Sequence, residues 1–264
     1  MKNFYVIGNN TSKSLSPLIF NYWFKKNKIN AKYLFKQIQT RNFEKEIKII
    51  LAQKNTFGIN ITIPFKEKII PFLFSSDKHS KKIGAVNCIT KSNKGWVGKN
   101  TDWIGFGKSL KQNNNKINKK KALIIGYGGA SKAIIYFLIK ENYKKVMVFN
   151  RSKKNTDYLK KETSLQIKDL NDLAKNIKNA DIIINTTPIN VFNTSLKTRI
   201  QKKTTGYDVV YKPKETDFLK NFNEDKRAHG IYMLLYQAAP CFKEWFGFTP
   251  KIDKELIDII EKKI

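Results

Sequence analysis

Two spacings of apolar and polar residues alternate along the chain. In residues 57–63 every second position is phenylalanine or isoleucine, with glycine, asparagine and threonine between them, which predicts a strand. Pro64 ends this strand, and Lys66 follows just past its end, where we predict that a helix begins. Asn60 and Thr62 then share one face of the strand. A strand end with two polar side chains and a lysine at its tip indicates a site for a small polar molecule.

Strand-like and helix-like runs alternate through the first hundred residues, which predicts an α/β fold with a mixed sheet. Ser16 is predicted to cap a helix that begins with Pro17. The predicted strands are Asn3–Ile7, Lys32–Ile38, Phe57–Ile63, Ala85–Thr90 and Gly95–Lys99, and the predicted helices are Pro17–Asn27 and Phe43–Ala52.

A second α/β run follows a lysine-rich polar segment, residues 112–121, which we predict to be a surface loop. Two domains with a cleft between them are the simplest arrangement of the two runs. The strands predicted here are Ala122–Ile125, Lys145–Phe149, Asp181–Asn185 and Tyr207–Tyr211, and the helices are Asp102–Lys111, Gly129–Glu141 and the segment from Gly230 onward, broken at residues 247–250.

Composition narrows the class of protein. Hydrophobic residues make up 41% of the 264, as expected of a folded globular chain. No secretory signal is evident at the start, and the most apolar helix-like run, residues 133–139, is too short to cross a bilayer, so we expect no membrane association. Cys88 and Cys241 lie far apart without metal-ligand spacing, and both histidines are isolated. We therefore expect reduced thiols, a cytoplasmic protein and no metal site.

The net charge of +30 raises the question of nucleic-acid binding. Most lysines are scattered, often at helix-surface positions, and neither an RNP-type aromatic motif nor a zinc finger occurs. We expect no specific nucleic-acid partner, while the positive field favours anionic substrates and phosphorylated cofactors.

A glycine cluster, Gly126-Tyr127-Gly128-Gly129-Ala130-Ser131, separates a predicted strand from a predicted helix, which is the context that dinucleotide binding requires. Gly126 permits a tight turn, and Gly128 lets a pyrophosphate approach the backbone. The helix N-terminus supplies N–H groups and a positive dipole end. Ser131 is a mild departure, because glycine or alanine is usual there.

The end of the next predicted strand indicates which dinucleotide is bound. An NAD enzyme is expected to carry Asp or Glu there, but this chain has Asn150-Arg151-Ser152-Lys153. Arg151 can pair with a 2′-phosphate and stack on adenine, and the two residues after it add donors. The sequence therefore predicts NADP(H).

Lys66 and Asp102 are the candidate proton-transfer pair, because no histidine is well placed for that role. Asp102 follows a short predicted strand and precedes the glycine cluster, an order that suggests a redox enzyme. The sequence leaves open which of the two residues donates the proton.

These segments belong to a longer ordered series of motifs. It comprises Val6-Ile7-Gly8-Asn9, Ser14-Leu15-Ser16-Pro17-Leu18-Ile19, Gly58 to Lys68, Gly84-Ala85-Val86-Asn87, Asn100-Thr101-Asp102, the glycine cluster with Asn150-Arg151, Ile184-Asn185-Thr186-Thr187-Pro188, Tyr207-Asp208-Val209-Val210-Tyr211, and Gly230 with Met233-Leu234-Leu235-Tyr236-Gln237-Ala238. Over nearly its whole length the chain resembles the shikimate dehydrogenase family.

The resemblance implies an NADP-dependent enzyme of aromatic amino-acid biosynthesis that reversibly reduces 3-dehydroshikimate to shikimate. It implies a mixed-sheet α/β substrate domain, residues 1–101 plus 238–264, and a Rossmann-type NADP-binding domain, residues 102–237. The C-terminal helices would return to the first domain. Oligomeric state is left open between monomer and homodimer.

The resemblance also implies roles for individual residues. Ser14 and Ser16 would hold the substrate carboxylate, with Tyr211 assisting from the other domain. The side chains implied to bond the ring hydroxyls are Thr62, Lys66, Asn87, Asp102 and Gln237, with Asn60 in support. The implied cofactor-binding residues are Gly126, Gly128, Gly129, Ala130, Asn150, Arg151, Ser152, Thr186, Thr187, Val209, Gly230 and Met233.

Two departures from the family pattern lie at positions expected on the nicotinamide side. Phe65 stands where histidine is common, and residues 188–191 replace the usual small residue, glycine and methionine. A quinate or quinate/shikimate dehydrogenase that uses NAD is the alternative within the superfamily, and the Arg151 strand end speaks against it. A basic, non-catalytic binding protein is the alternative from another class. It predicts the loss of some of Lys66, Asp102, Gly126 and Gly128, yet all are present.

Overall fold

A computed structural model describes residues 1–112, 117–151, 164–189 and 200–264 of the chain. The chain divides into two compact units, Met1–Ile104 with Leu234–Lys263, and Gly105–Met233 with Ile264. Each unit contains one six-stranded sheet. The predicted fold class, two α/β units, is confirmed.

The sheet of the first unit is mixed, as the sequence predicts. The strands are β1 (Lys2–Gly8), β2 (Ala31–Gln37), β3 (Thr56–Ile61), β4 (Ser75–Ser76), β5 (Cys88–Ser92) and β6 (Gly95–Lys99), with helices α1 (Ser16–Lys26), α2 (Phe43–Ala52) and α3 (Lys78–Ile83). The strand order is β2-β1-β3-β5-β6-β4; β1 runs parallel to β2 and β3, whereas β5 is antiparallel to β3 and β6. Strand β4 and helix α3 are too short to give a clear sequence period.

Two local predictions in this unit are wrong. No helix begins at Lys66; a turn carries it, and the next element is a short 3-10 helix at Ile70–Phe72. The Lys66 carbonyl accepts the Val86 N–H at 2.8 Å, so it is bonded to a neighbouring segment rather than within a helix. Ser16 is not the cap of α1 but lies in its first turn, and its own N–H donates to Ser14 Oγ at 3.2 Å.

Helix α7 (Gly230–Phe246) supplies large aromatic side chains to the first unit. Trp245 packs against Phe4 and Phe20, with ring centroids 4.8 and 5.0 Å apart. Phe242 packs against Trp23 and is itself fully buried. Burial of each such ring contributes about 1.5–3 kcal/mol, which accounts for the place of the C-terminal segment in this unit. Helix α8 (Lys254–Glu261) follows, capped by Asp253, which accepts the Leu256 N–H.

The sheet of the second unit is fully parallel, with strand order β12-β11-β10-β7-β8-β9. This is the doubly wound order of dinucleotide-binding domains. The strands are β7 (Lys121–Ile125), β8 (Lys145–Asn150), β9 (Leu165–Asp169), β10 (Ile182–Asn185), β11 (Thr205–Asp208) and β12 (Arg227–His229), and the helices are α4 (Asp102–Gln112), which begins in the first unit, α5 (Gly129–Lys140) and α6 (Leu173–Asn176).

Because parallel strands end at the same edge, the residues that follow them meet there. Those residues are Gly126, Thr186, Val209 and Gly230, and Asn150 joins them as the last residue of β8. Strands β9 and β12 were not predicted, since each carries polar residues at most of its positions. Within the described part of the chain, no helix has the length and apolarity needed to span a membrane.

Candidate functional site

Lys66 and Asp102 form a buried ion pair in the first unit. Lys66 Nζ lies 2.6 Å from Asp102 Oδ2, and the two side chains are 11% and 6% exposed. The turn after β3 carries the lysine, and the aspartate is the first residue of α4. The aspartate N–H donates to Asn100 Oδ1 at 3.0 Å, which fixes the backbone at the start of the helix. The structure therefore brings together the two residues proposed for proton transfer.

Asn87 connects this ion pair to the rest of a buried polar cluster. Its Nδ2 lies 2.8 Å from Asp102 Oδ1, 2.9 Å from Thr101 Oγ1 and 3.1 Å from Gln237 Oε1. Its Oδ1 accepts the Thr101 N–H at 2.7 Å. An amide nitrogen has two protons, so three acceptors must share them. A bound hydroxyl can therefore donate to one of these oxygens without leaving the amide unpaired.

Asn60 supports this cluster through hydrogen bonds to Asn87 and Cys241. Its Nδ2 donates to the Asn87 carbonyl and to Cys241 Sγ, both at 3.0 Å, and its Oδ1 accepts the Tyr33 hydroxyl at 2.8 Å. Burial raises the pKa of Tyr33 well above its ordinary value, so this hydroxyl keeps its proton and donates. Both amide protons of Asn60 are thus engaged within the protein. This geometry favours a supporting role for Asn60 over direct contact with a ligand.

Thr101, Cys241 and Tyr33 belong to the cluster, but the sequence assigned them no role. Cys241 follows Gln237 by four residues on α7, so the two side chains share one helix face. That spacing was the signal available in the sequence for a role of Cys241. It was missed because Cys241 was judged only by its long sequence separation from Cys88. Thr101 lies inside the motif that pointed to Asp102.

Ser14 lies on the segment that leads into α1, and Ser16 is the first residue of that helix. Ser16 is 5% exposed, and its side chain interacts with Tyr33, which in turn bonds Asn60. Thr62 follows β3, and its N–H donates to the Ile7 carbonyl at 2.8 Å. Tyr211 is half-buried and follows β11 in the second unit, where its role stays a prediction.

The glycine turn of the second unit has a backbone that requires glycine. Gly126 has φ +97°, and a Cβ there would lie 2.6 Å from Thr187 Cγ2 and 2.7 Å from Thr186 Oγ1. Ser131, the departure from the usual motif, is fully buried and donates from Oγ to the Gly126 carbonyl at 2.8 Å. This hydrogen bond from Ser131 holds the glycine turn against the first turn of α5.

The N-terminus of α5 fits the phosphates of a dinucleotide. Gly128 is its N-cap and provides no side-chain hydrogen bond, and Gly129 and Ala130 are its first residues. A Cβ on Gly128 would meet no atom of the described residues within 4 Å, so the start of α5 is open at this position. Free N–H groups with a positive dipole end in open space form an anion site.

Strands β10 and β11 are joined at this edge by a buried hydrogen-bond network. Asn185 Nδ2 donates to Asp208 Oδ1 at 3.1 Å, and the Thr216 hydroxyl donates to Asp208 Oδ2 at 2.6 Å. Burial raises the pKa of Asp208, and hydrogen bonds from Thr216, the Val210 N–H and Asn185 oppose that rise. The network fixes the backbone that leads to Thr186 and Thr187, whose side chains contact the glycine turn.

The other candidate cofactor residues lie along the same edge. Asn150 ends β8 half-buried, and the next residue, Arg151, is exposed, while Ser152 lies outside the described residues. A Cβ on Gly230 would lie 2.5 Å from the Val209 carbonyl oxygen, so this close approach requires glycine. Met233 is 6% exposed.

The two departures from the family pattern have different outcomes. Phe65 does not line a binding surface, because its side chain is fully buried and stacks on Phe43 with ring centroids 4.1 Å apart. Pro188 and Ile189 are exposed, whereas residues 190 and 191 lie outside the described part of the chain.

Comparison with known proteins identifies relatives over both units. A family model described as the shikimate dehydrogenase substrate binding domain matches residues 6–89. A second, described as shikimate / quinate 5-dehydrogenase, matches residues 108–207. The NADP(+) shikimate dehydrogenase of Pelagibacter ubique is 37% identical over 268 residues, covering 98% of this chain and 99% of the relative.

Solved structures agree with these matches. The crystal structure of shikimate dehydrogenase from Aquifex aeolicus has a TM-score of 0.84 at 34% identity, covering 98% of this chain and 97% of that one. The shikimate 5-dehydrogenase of Thermus thermophilus, solved in complex with NADP(H) and shikimate, has a TM-score of 0.84 at 25% identity and complete coverage of both chains.

Proposed function

The chain belongs to the shikimate dehydrogenase family, and we propose that its Lys66–Asp102 pair transfers the proton in the reaction. The protein is an NADP-dependent oxidoreductase that interconverts 3-dehydroshikimate and shikimate. The observation that carries the proton-transfer assignment is the 2.6 Å contact between two side chains that are both nearly buried.

The substrate side of the proposal rests on the first unit. The positive dipole end of α1 favours a carboxylate beside Ser14 and Ser16. Asn87, Asp102 and Gln237 offer oxygen acceptors to the ring hydroxyls, and Thr62 adds a further hydroxyl. An unpaired buried hydroxyl costs about 1–3 kcal/mol, so a triol acid requires such a cluster.

The cofactor side rests on the second unit. The open N-terminus of α5 with Gly126, Gly128, Gly129 and Ala130 would hold the pyrophosphate, and Arg151 with Asn150 and Ser152 would hold the 2′-phosphate. The other residues proposed to line the cofactor are Thr186, Thr187, Val209, Gly230 and Met233. NADP supplies or accepts the hydride when it is bound.

The proton that the Lys66–Asp102 pair transfers moves to or from the C3 oxygen of the substrate. Lys66 can hold this oxygen by hydrogen bonding, which polarises the carbonyl in one direction and stabilises the alkoxide in the other. Asp102 orients the lysine and shares its proton. With Asn87 on its other oxygen, Asp102 keeps a fixed geometry while the proton moves. General acid–base assistance of this kind contributes about 10²–10⁴ in rate.

Shikimate and quinate, each offered with NADP⁺ and with NAD⁺, test the assignment directly by cofactor absorbance. Reduction that is fast only with shikimate and NADP⁺ is expected. Preference for quinate or NAD⁺ would contradict the proposed specificity, and no turnover in any of the four combinations would contradict the assignment of activity.

A cytoplasmic location and a monomeric or homodimeric state complete the proposal. Cys88 and Cys241 are both buried free thiols, as expected in a reducing compartment. The polar cluster around Lys66 consists of residues of a single chain, so this part of the chemistry needs no second copy. Cell fractionation and analytical ultracentrifugation measure the two properties.

A further inference from the structure

Cys241 lies where three segments of the first unit meet. Its Sγ is 3.0 Å from Asn60 Nδ2, 3.1 Å from Thr101 Oγ1 and 3.3 Å from the Gln237 carbonyl oxygen. These partners lie on β3, on the segment before α4, and one turn earlier on α7 itself. The thiol is fully buried, so water does not compete for these contacts.

A count of protons shows what the sulfur does. The thiol has one proton, which it can donate to the Gln237 carbonyl as the helical position i−4. The sulfur is then the acceptor for the second amide proton of Asn60, whose first proton goes to the Asn87 carbonyl. It also lies within reach of the Thr101 hydroxyl, which already accepts from Asn87 Nδ2.

Asn60 and Thr101, which both contact the sulfur, also contact Asn87. Asn60 holds the Asn87 backbone carbonyl, and Thr101 holds its side-chain amide through both Oγ1 and the backbone N–H. Asn87 in turn holds Asp102 Oδ1. The sulfur is therefore three hydrogen bonds away from the carboxylate that pairs with Lys66.

We propose that Cys241 is a positioning residue for the reaction, whose thiol sulfur fixes Asn60 and Thr101 and, through Asn87, the Asp102 carboxylate and the Gln237 amide. This inference rests on the proposed function of the Lys66–Asp102 pair. Without the sulfur, an Asn60 amide proton loses its acceptor in a buried place, and the side chains that hold Asn87 can rotate. The site then loses the alignment that proton transfer requires.

Cys241→Ala tests this directly, with Ser80→Ala as the matched control. Cys88 cannot serve, because its own thiol is hydrogen-bonded to Cys241. Ser80 lies on α3 of the same unit and is equally buried, and its Oγ has no hydrogen-bond partner among the described residues. We expect Cys241→Ala to lower kcat/KM for shikimate about tenfold, the effect of one lost buried hydrogen bond, with KM for NADP⁺ unchanged. Ser80→Ala should stay within about twofold of the unsubstituted enzyme, since it removes no side-chain hydrogen bond.

Rescue separates positioning from packing. A serine hydroxyl accepts from Asn60 and donates to the Gln237 carbonyl, so Cys241→Ser should regain most of the kcat/KM lost in Cys241→Ala. Cys241→Val fills the volume without accepting a hydrogen bond, so its kcat/KM should resemble that of Cys241→Ala. If Cys241→Ala does not fold, the comparison of the valine and serine variants still tests the proposal.

Either of two results would overturn the proposal. One is an equal loss in Cys241→Ala and Ser80→Ala; the other is a valine variant as active as the serine variant. The Lys66→Ala variant, measured in the same assay, keeps the two hypotheses apart. If it loses turnover while the Cys241 variants keep theirs, the proposed function stands and only the inference about Cys241 falls.

Discussion

Removal of the Lys66 ammonium gives the sharpest separation of catalysis from stability. In Lys66→Met the buried carboxylate of Asp102 keeps its bond from Asn87 and loses its counter-ion, which the structure places 2.6 Å away. Loss of one partner of a buried ion pair costs about 3–5 kcal/mol, because the remaining charge stays out of water. Turnover should fall by at least about 100-fold, because the candidate proton donor is gone.

A second substitution, added to Lys66→Met, distinguishes the loss of stability from the loss of turnover. In Lys66→Met combined with Asp102→Asn, the unpaired charge is replaced by a neutral amide, which leaves at most one amide nitrogen without an acceptor at a cost of about 1–3 kcal/mol. The free energy of unfolding should therefore recover by about 2 kcal/mol relative to the single variant. Turnover should not recover, because neither group that moves the proton remains.

Urea unfolding followed by tryptophan fluorescence measures the stability of the relevant unit, because all four tryptophans belong to the first unit. Lys99→Met is the matched control. Its Nζ lies 2.5 Å from Glu244 Oε2 in a pair that is 38% and 31% exposed, so its loss should cost less than about 1 kcal/mol. Near-normal turnover in Lys66→Met would refute the assignment of the lysine. Turnover that returned with stability in the double variant would show a purely structural role.

Phe65→Ala should lower the free energy of unfolding by about 3–5 kcal/mol, measured in urea, because it removes a fully buried ring stacked on Phe43; a change below about 1 kcal/mol would contradict that packing. Burial raises the pKa of Asp253, but hydrogen bonds from Lys26, the Leu256 N–H and Tyr22 outweigh it and lower the pKa to about 2. The carboxylate should therefore stabilise the protein by about 1 kcal/mol above its ordinary pKa of 3.8, after allowance for solvent screening, and lose this effect as the pH falls towards 2. Asp253→Asn keeps the α8 cap, so unfolding curves of the two proteins should converge at low pH; a constant difference would refute the linkage. Arg151→Ala should raise KM for NADP⁺ about 10–100-fold and leave KM for NAD⁺ nearly unchanged, since one charge-assisted contact to the 2′-phosphate is lost; an unchanged KM for NADP⁺ in steady-state kinetics would refute the assignment.

Local signals determined a large part of this protein. The two-residue period of residues 57–63 predicted strand β3, and the glycine cluster between strand and helix predicted the turn whose Gly126 has a positive φ. A side chain's period and a glycine's conformational freedom are properties of a few neighbouring residues, so they can be recognised in the sequence alone. The family resemblance had the same origin, because each motif is short and their order is fixed by the chain.

Tertiary structure decided which polar groups meet. Asn87 bonds Gln237 across 150 positions, and Asn60 bonds Cys241 across 181, so no local period relates these residues. The prediction of Ser16 as the cap of α1 was wrong for a similar reason, since its side chain interacts with the buried Tyr33 of β2. Phe65 turned towards the core rather than a binding surface because Phe43 offered it a buried stacking partner.

The difference between what local sequence predicted and what tertiary packing decided has one physical cause. Strand, helix and turn preferences come from backbone sterics and side-chain spacing within a few residues, which every short segment of the sequence carries. A buried hydrogen bond instead depends on where a donor's proton finds an acceptor after water has been excluded, and that is fixed only when distant segments pack. The sequence named Lys66, Asn87, Asp102 and Gln237 as candidates, and the packing of the first unit joined them through Asn87 and set Cys241 behind them.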